Sequence, residues 1–166
     1  MADTTTRKLI AEPEFGSLTT AFNALRNDLK NRGSLVHLDN NVTADATPVA
    51  ADLPTSITLA NNLKALLNTH MAKTDAHVAA DATNTVVAAN GTVLADTITL
   101  ANAVKTAFNA HCAQAGVHIN NDAGVIATAN ATILSDLITL LNAEQTALNG
   151  HYAKAATSTA IVRGVP

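Results

Sequence analysis

The sequence predicts an all-α protein of tandem units of about forty residues, each a helix followed by a long connection. Two observations carry that prediction. Ile57-Thr-Leu-Ala-Asn-Asn-Leu-Lys64 returns 41 residues later as Ile98-Thr-Leu-Ala-Asn-Ala-Val-Lys105, and 40 after that as Ile138-Thr-Leu-Leu-Asn-Ala-Glu-Gln145. Within a unit the apolar positions recur at helical spacing: Leu53, Ile57, Ala60, Leu67 and Met71 form one stripe, Leu59, Leu63, Leu66 and His70 a second. Two stripes on one helix mean two packed faces. The architecture expected is a helical bundle or a short solenoid.

The first unit is degenerate. Leu25-Arg-Asn-Asp-Leu-Lys30 matches Leu59-Ala-Asn-Asn-Leu-Lys64, and Val36-His37-Leu38 matches Ala76-His77-Val78, but at different offsets, as in an atypical terminal cap. Helices are expected near 17–32, 53–73, 92–115 and 132–155. Thr92 and Thr132 are the expected N-caps, with Asp96 and Asp136 in or near the first turn to meet the positive end of the helix dipole. Gly33 and Gly116 follow candidate helix ends. The domain plan is an extension over 1–16, a repeat domain over 17–155 (units near 17–50, 51–91, 92–131 and 132–155) and a tail over 156–166. Residues 1–16 and 156–166 are candidate attachment segments.

The connections, such as 74–91 and 116–131, are longer than those of simple bundles, and an extended chain of that length can travel back along a helix. Successive helices are therefore free to run parallel or antiparallel. Asn84-Thr-Val-Val87 alternates enough for a short strand-like stretch.

Composition narrows the function classes. Apolar residues make up 48% of the 166 but aromatic ones only 2%, so the core is built of small side chains and association with further copies is expected. The net charge of -3, with no basic run, speaks against a nucleic-acid partner. No apolar stretch reaches membrane-spanning length and the first residues lack a secretory pattern, so the expectation is a soluble chain with no membrane partner. Cys112 occupies the place of Met71 and Tyr152 in the sister units, which argues for packing over a disulfide.

All six histidines obey the repeat. His70, His111 and His151 close helices; His37, His77 and His118 lie in the connections. Two units hold the full pattern His-x6-His-x3-Asp: His70, His77 and Asp81, then His111, His118 and Asp122. Imidazole with carboxylate is a legitimate ligand set for zinc or similar ions, which gives a metal site per repeat. The structural alternative has the imidazoles bond helix-end carbonyls while the aspartates pin the connections. That alternative is preferred, because the first unit has Lys30 or nothing at the helix position and the last has Ser158 at the connection position. The reading therefore assigns no catalytic, cofactor or metal residue and no cofactor.

Asparagine is as regular, with Asn61, Asn102 and Asn142 one heptad before Asn68, Asn109 and Asn149, despite its indifferent helix propensity. A ladder setting register between helices or subunits is favoured over a solvated face. No phosphate loop, nucleophile elbow or gathered triad appears, so an enzyme is not expected.

The phrases Ile98-Thr-Leu-Ala-Asn-Ala-Val-Lys-Thr-Ala-Phe-Asn-Ala-His111 and Ala115-Gly-Val-His-Ile-Asn-Asn-Asp122 resemble an uncharacterised repeat of tailed-bacteriophage virion proteins, over roughly residues 50–155. That resemblance implies a structural virion protein, foremost a capsid decoration or cement protein, made in the host cytoplasm and housed in the virion. Its partners would be further copies of itself and other virion proteins. A neck, tail or fibre accessory protein, a metal-binding helical module and a cell-surface adhesion repeat are the alternatives.

Overall fold

The computed structural model describes residues 18, 20–23, 44–74, 76–118 and 122–154. The chain divides into two compact units, Met1–Ser34 and Leu35–Pro166. In the first, residues 18 and 20–23 are helical, with Leu18 and Phe22 exposed. The described residues of the second form three helices: α1 (Leu53–Met71), α2 (Leu94–Ala113) and α3 (Leu134–Tyr152). The protein is thus all-α, and the described residues contain no strand. Readings that concern Lys30, Gly33, His37, Ser158 and residues 1–16 and 156–166 lie outside the described residues.

Local chemistry sets the helix starts. Asp52 caps α1: its carboxylate accepts from the Thr55 amide at 2.9 Å, while the Thr55 hydroxyl accepts from the Asp52 amide at 3.0 Å, a reciprocal box reinforced by Pro54 in the first turn. The other two helices begin differently from the expected threonine caps. Val93 and Ile133 hold the cap positions without a side-chain bond, and Thr92 and Thr132 instead donate their hydroxyls to Asp96 and Asp136 at 3.0 and 2.8 Å. The two aspartates lie in the first turns as expected. Beyond α2, Gly116 takes a φ of 83°, a conformation that costs glycine little.

The asparagines reveal the helix directions. Near the end of α1, Asn68 takes the Val86 amide on Oδ1 at 2.8 Å and donates Nδ2 to the Val86 carbonyl at 3.1 Å. One heptad earlier Asn61 grips Gly91 in the same two-handed way, at 2.8 and 3.0 Å. As residue numbers rise from 86 to 91 the connection therefore travels back toward the start of α1, and α2 sets out beside that start, parallel to α1. The second unit repeats the arrangement, Asn109 holding Ile126 and Asn102 holding Ala131. So α1, α2 and α3 are all parallel.

The same device closes the ring. Asn149 of α3 holds both backbone groups of Asp45, at 2.7 and 3.1 Å, and Asn142 holds those of Ala50, at 2.8 and 3.1 Å. The segment that leads into α1 thus covers α3 as the other connections cover α1 and α2, and each helix contacts both others. The described residues of the second unit form a closed bundle with approximate threefold symmetry, not an open solenoid. The expected asparagine ladder exists, but it joins each helix to a connection, not helix to helix. Each amide supplies the donor and acceptor that a neighbouring strand would offer, so the extended connections keep their peptide groups satisfied without a sheet.

Lys64 and Lys105 extend the pattern, reaching the Ala88 and Thr128 carbonyls, while Gln145 at the equivalent place in α3 donates to the Thr47 carbonyl. Inside, Leu59, Leu100 and Leu140 occupy equivalent, fully buried positions, as do the nearly buried Leu67, Phe108 and Leu148. Each such side chain contributes about 1.5–3 kcal/mol of transfer free energy. Cys112 is buried beside its counterparts Met71 and Tyr152 in one core, as their shared register requires. One equivalent set breaks the apolar rule: Leu63 and Val104 are matched in α3 by Glu144, which is 1% exposed.

Candidate metal centre

Parallel helices of nearly equal length bring equivalent residues to one level, and the last turns of α1, α2 and α3 each carry a histidine. His70, His111 and His151 consequently meet at one end of the bundle, joined by His77 and His118 from the connections, all five buried. Nε2 of His70 lies 3.0 Å from Nε2 of His151 and 3.1 Å from Nε2 of His77; Nε2 of His118 lies 3.2 Å from Nε2 of His111. One ring nitrogen from each of the five falls within 4.8 Å of all the others. The rings stand edge to face, with centroids of neighbouring pairs 4.4–5.3 Å apart.

The opposite edges of three rings are tied outward. Nδ1 of His111 donates to Asp81 at 2.9 Å, Nδ1 of His151 to Asp122 at 2.6 Å and Nδ1 of His77 to the Lys73 carbonyl at 2.9 Å. A carbonyl or an ionised carboxylate can only accept, so the proton of each neutral ring sits on Nδ1 and the Nε2 lone pair faces inward. The aspartates are themselves fixed. Burial would raise the Asp81 carboxyl, but hydrogen bonds from Asn84, His111 and the Thr83 and Asn84 amides hold it below its ordinary value. The bond from His151, against the cost of burial, together with those from Lys154 and the Gly124 amide, holds Asp122 lower still.

Burial and the neighbouring histidines make protonation costly here. His111 is pushed down to about 4, by burial foremost, with the Asp81 bond opposing and His151 and His77 adding. His118 falls to about 3, from burial and then from His111, His151 and His77. Cys112 approaches His151 Nδ1 at 3.9 Å, and burial, with Asp122 nearby, pushes its thiol up to about 12, which makes it a poor nucleophile. The chemistry available is ligation: five convergent imidazoles, two of them backed by carboxylates and one by a carbonyl, the outer arrangement common to histidine metal sites.

The histidines and aspartates singled out in the sequence do come together, but in groupings other than the repeat pattern suggests. His70, His77 and Asp81 do not form a triad of their own, because Asp81 binds His111 of the next unit and Asp122 binds His151. Instead of one site per repeat, the fold gathers five histidines at one place. His151, passed over for want of a connection partner, is central. The signal that would have found it is the parallel course of the helices, which spacing alone leaves open.

Fold and site together define an all-α repeat protein whose second unit carries three parallel helices and a buried histidine centre. The family model described as "Lipopolysaccharide-assembly, LptC-related" matches residues 9–109, about three-fifths of the chain, and the protein belongs to that family. The match includes His70, His77 and Asp81 and ends before His111, so much of the histidine centre lies past it. No curated protein and no solved structure matches.

The family overturns the resemblance to bacteriophage virion repeats, which rested on sequence texture and on the Asn-x-His and Val-His-x-x-x-Asp phrases. The capsid decoration or cement role falls with it, as do the neck, tail or fibre alternative and the metal-module and adhesion readings as accounts of what the whole chain does. Virion localisation and a partner list of further copies and virion proteins, with no membrane, are corrected likewise, because lipopolysaccharide is a lipid of the bacterial envelope. Among the described residues, no helix is long and apolar enough to cross a membrane.

Proposed function

We propose that this protein is a non-catalytic component of lipopolysaccharide assembly in the bacterial envelope, working with other assembly proteins and with the lipid itself. The observation that carries this reading is the family match over residues 9–109. The use of the polar side chains supports it: six asparagines, two lysines and Gln145 hold backbone groups, and Asp81 and Asp122 hold histidines, so the chain's conspicuous polar groups serve its architecture.

Depletion of the protein in its own bacterium tests the proposal. The expected result is lipopolysaccharide held back from the cell surface, together with photocrosslinks to lipopolysaccharide or an assembly protein from a probe at Val87, which is 90% exposed. Normal surface lipopolysaccharide in depleted cells would overturn it.

A further inference from the structure

We propose that His70, His77, His111, His118 and His151 bind one divalent first-row transition-metal ion through their Nε2 atoms, in a five-nitrogen centre of octahedral type. With metal–nitrogen bonds of about 2.1 Å, octahedral neighbours stand ~3.0 Å apart and opposite ligands ~4.2 Å, whereas tetrahedral neighbours stand ~3.4 Å apart. Two of the three close nitrogen pairs, at 3.0 and 3.1 Å, lie nearer the octahedral spacing, and the third, at 3.2 Å, lies midway. The 4.8 Å envelope of all five accommodates opposite ligands. Five convergent donors also exceed what a tetrahedral ion accepts. Imidazole suits nickel and ferrous iron among such ions, and these are the expected occupants.

Charge and orientation agree with the same occupant. Three inward lone pairs are fixed by outward Nδ1 bonds, the arrangement that orients ligands and raises their basicity. Asp81 and Asp122, each directly behind a ligand, supply two negative charges against the two positive charges of the ion; Asp122 also pairs with Lys154, so the compensation is partial. The ligands come from α1, α2, α3 and two connections, so an ion here ties the closed end of the bundle together.

The test uses the full chain without an affinity tag, stripped with chelator and exposed separately to nickel, to cobalt and, without oxygen, to ferrous iron. Native mass spectrometry is expected to show one retained ion per chain, thermal melting to move upward, and cobalt to give the weak absorption of a high-coordinate centre. His111→Gln is expected to lose the ion. His118→Gln, which alters a connection and leaves the helices untouched, is expected to bind at least tenfold more weakly, and Asp81→Asn about 10–100-fold more weakly, at unchanged helical signal. An apo mass after all three exposures would overturn the proposal, as would affinity equal to the parent's in both histidine variants. An intense tetrahedral cobalt spectrum would overturn its geometry.

Discussion

Asp81 and His111 belong to different repeat units, yet the carboxylate of one accepts the ring N–H of the other at 2.9 Å with both side chains fully buried. Asp122 and His151 repeat the pairing one unit on. Each pair fastens a connection to the end of the next helix, so the same bond that orients an imidazole also joins successive repeats. Asp81→Asn replaces a charge-assisted bond by a neutral one and is expected to cost the metal-free protein about 1.5–3 kcal/mol in urea unfolding. An unchanged midpoint would show that the pair does not hold the units together.

The asparagine grips make a sharper claim. Asn109→Ala strands the amide and carbonyl of Ile126, groups on a residue only 4% exposed, and is expected to cost about 2–4 kcal/mol. Thr106→Ala, on the exposed side of the same helix, is expected to stay within about 0.5 kcal/mol. Hydrogen exchange adds a local readout, with the Ile126 amide losing protection in Asn109→Ala.

Glu144 sits where the other two helices place Leu63 and Val104, and neither carboxylate oxygen makes a hydrogen bond of ordinary geometry. Burial pushes its carboxyl well above 4.5, against the pull of the Lys105 charge. Below 4.5 the group is protonated in both folded and unfolded chains. As pH rises past that value the unfolded chain ionises first, so Glu144 erodes stability until the folded group ionises too. Glu144→Leu is therefore expected to be more stable than the parent by about 1–3 kcal/mol at pH 8, with the gap narrowing toward pH 4.5. A gap independent of pH would contradict the buried, neutral carboxyl.

Cys112 is expected to resist alkylation in the folded protein at pH 8, since its thiol is 1% exposed and pushed up to about 12. In urea it should react at the rate of a free thiol. Rapid labelling without denaturant would mean that the histidine end of the bundle opens readily.

Much of the helical layout was legible because it depends on local spacing. The stripe from Leu53 to Met71 marks a helix found at Leu53–Met71, and Asp96 and Asp136 stand in first turns as their place near the positive end of the dipole predicts. Direction was not legible, because a connection long enough to run back along a helix permits either course. The histidine centre depends wholly on that direction: only parallel helices bring His70, His111 and His151 to one end. The grip of Asn142 on Ala50 spans 92 residues and the grip of Asn149 on Asp45 spans 104, separations at which spacing carries no information about contact. The threonine caps failed because Thr92 and Thr132 bond to side chains one turn ahead and not to the helix amides. Family membership was hidden for another reason, since the regular asparagines in the phrases that suggested a virion repeat serve to hold the connections.

The central claim is that three parallel helices deliver their terminal histidines to one point. Proton NMR of the chain labelled only at histidine tests it most directly, through nuclear Overhauser contacts between ring protons. Parallel helices predict cross-peaks linking His70, His111 and His151, whose ring centroids lie 5.0–5.3 Å apart. Were α2 antiparallel to its neighbours, His111 would stand roughly 30 Å from the other two, the length of the helix. Cross-peaks between His70 and His151 alone, with none to His111, would contradict the account.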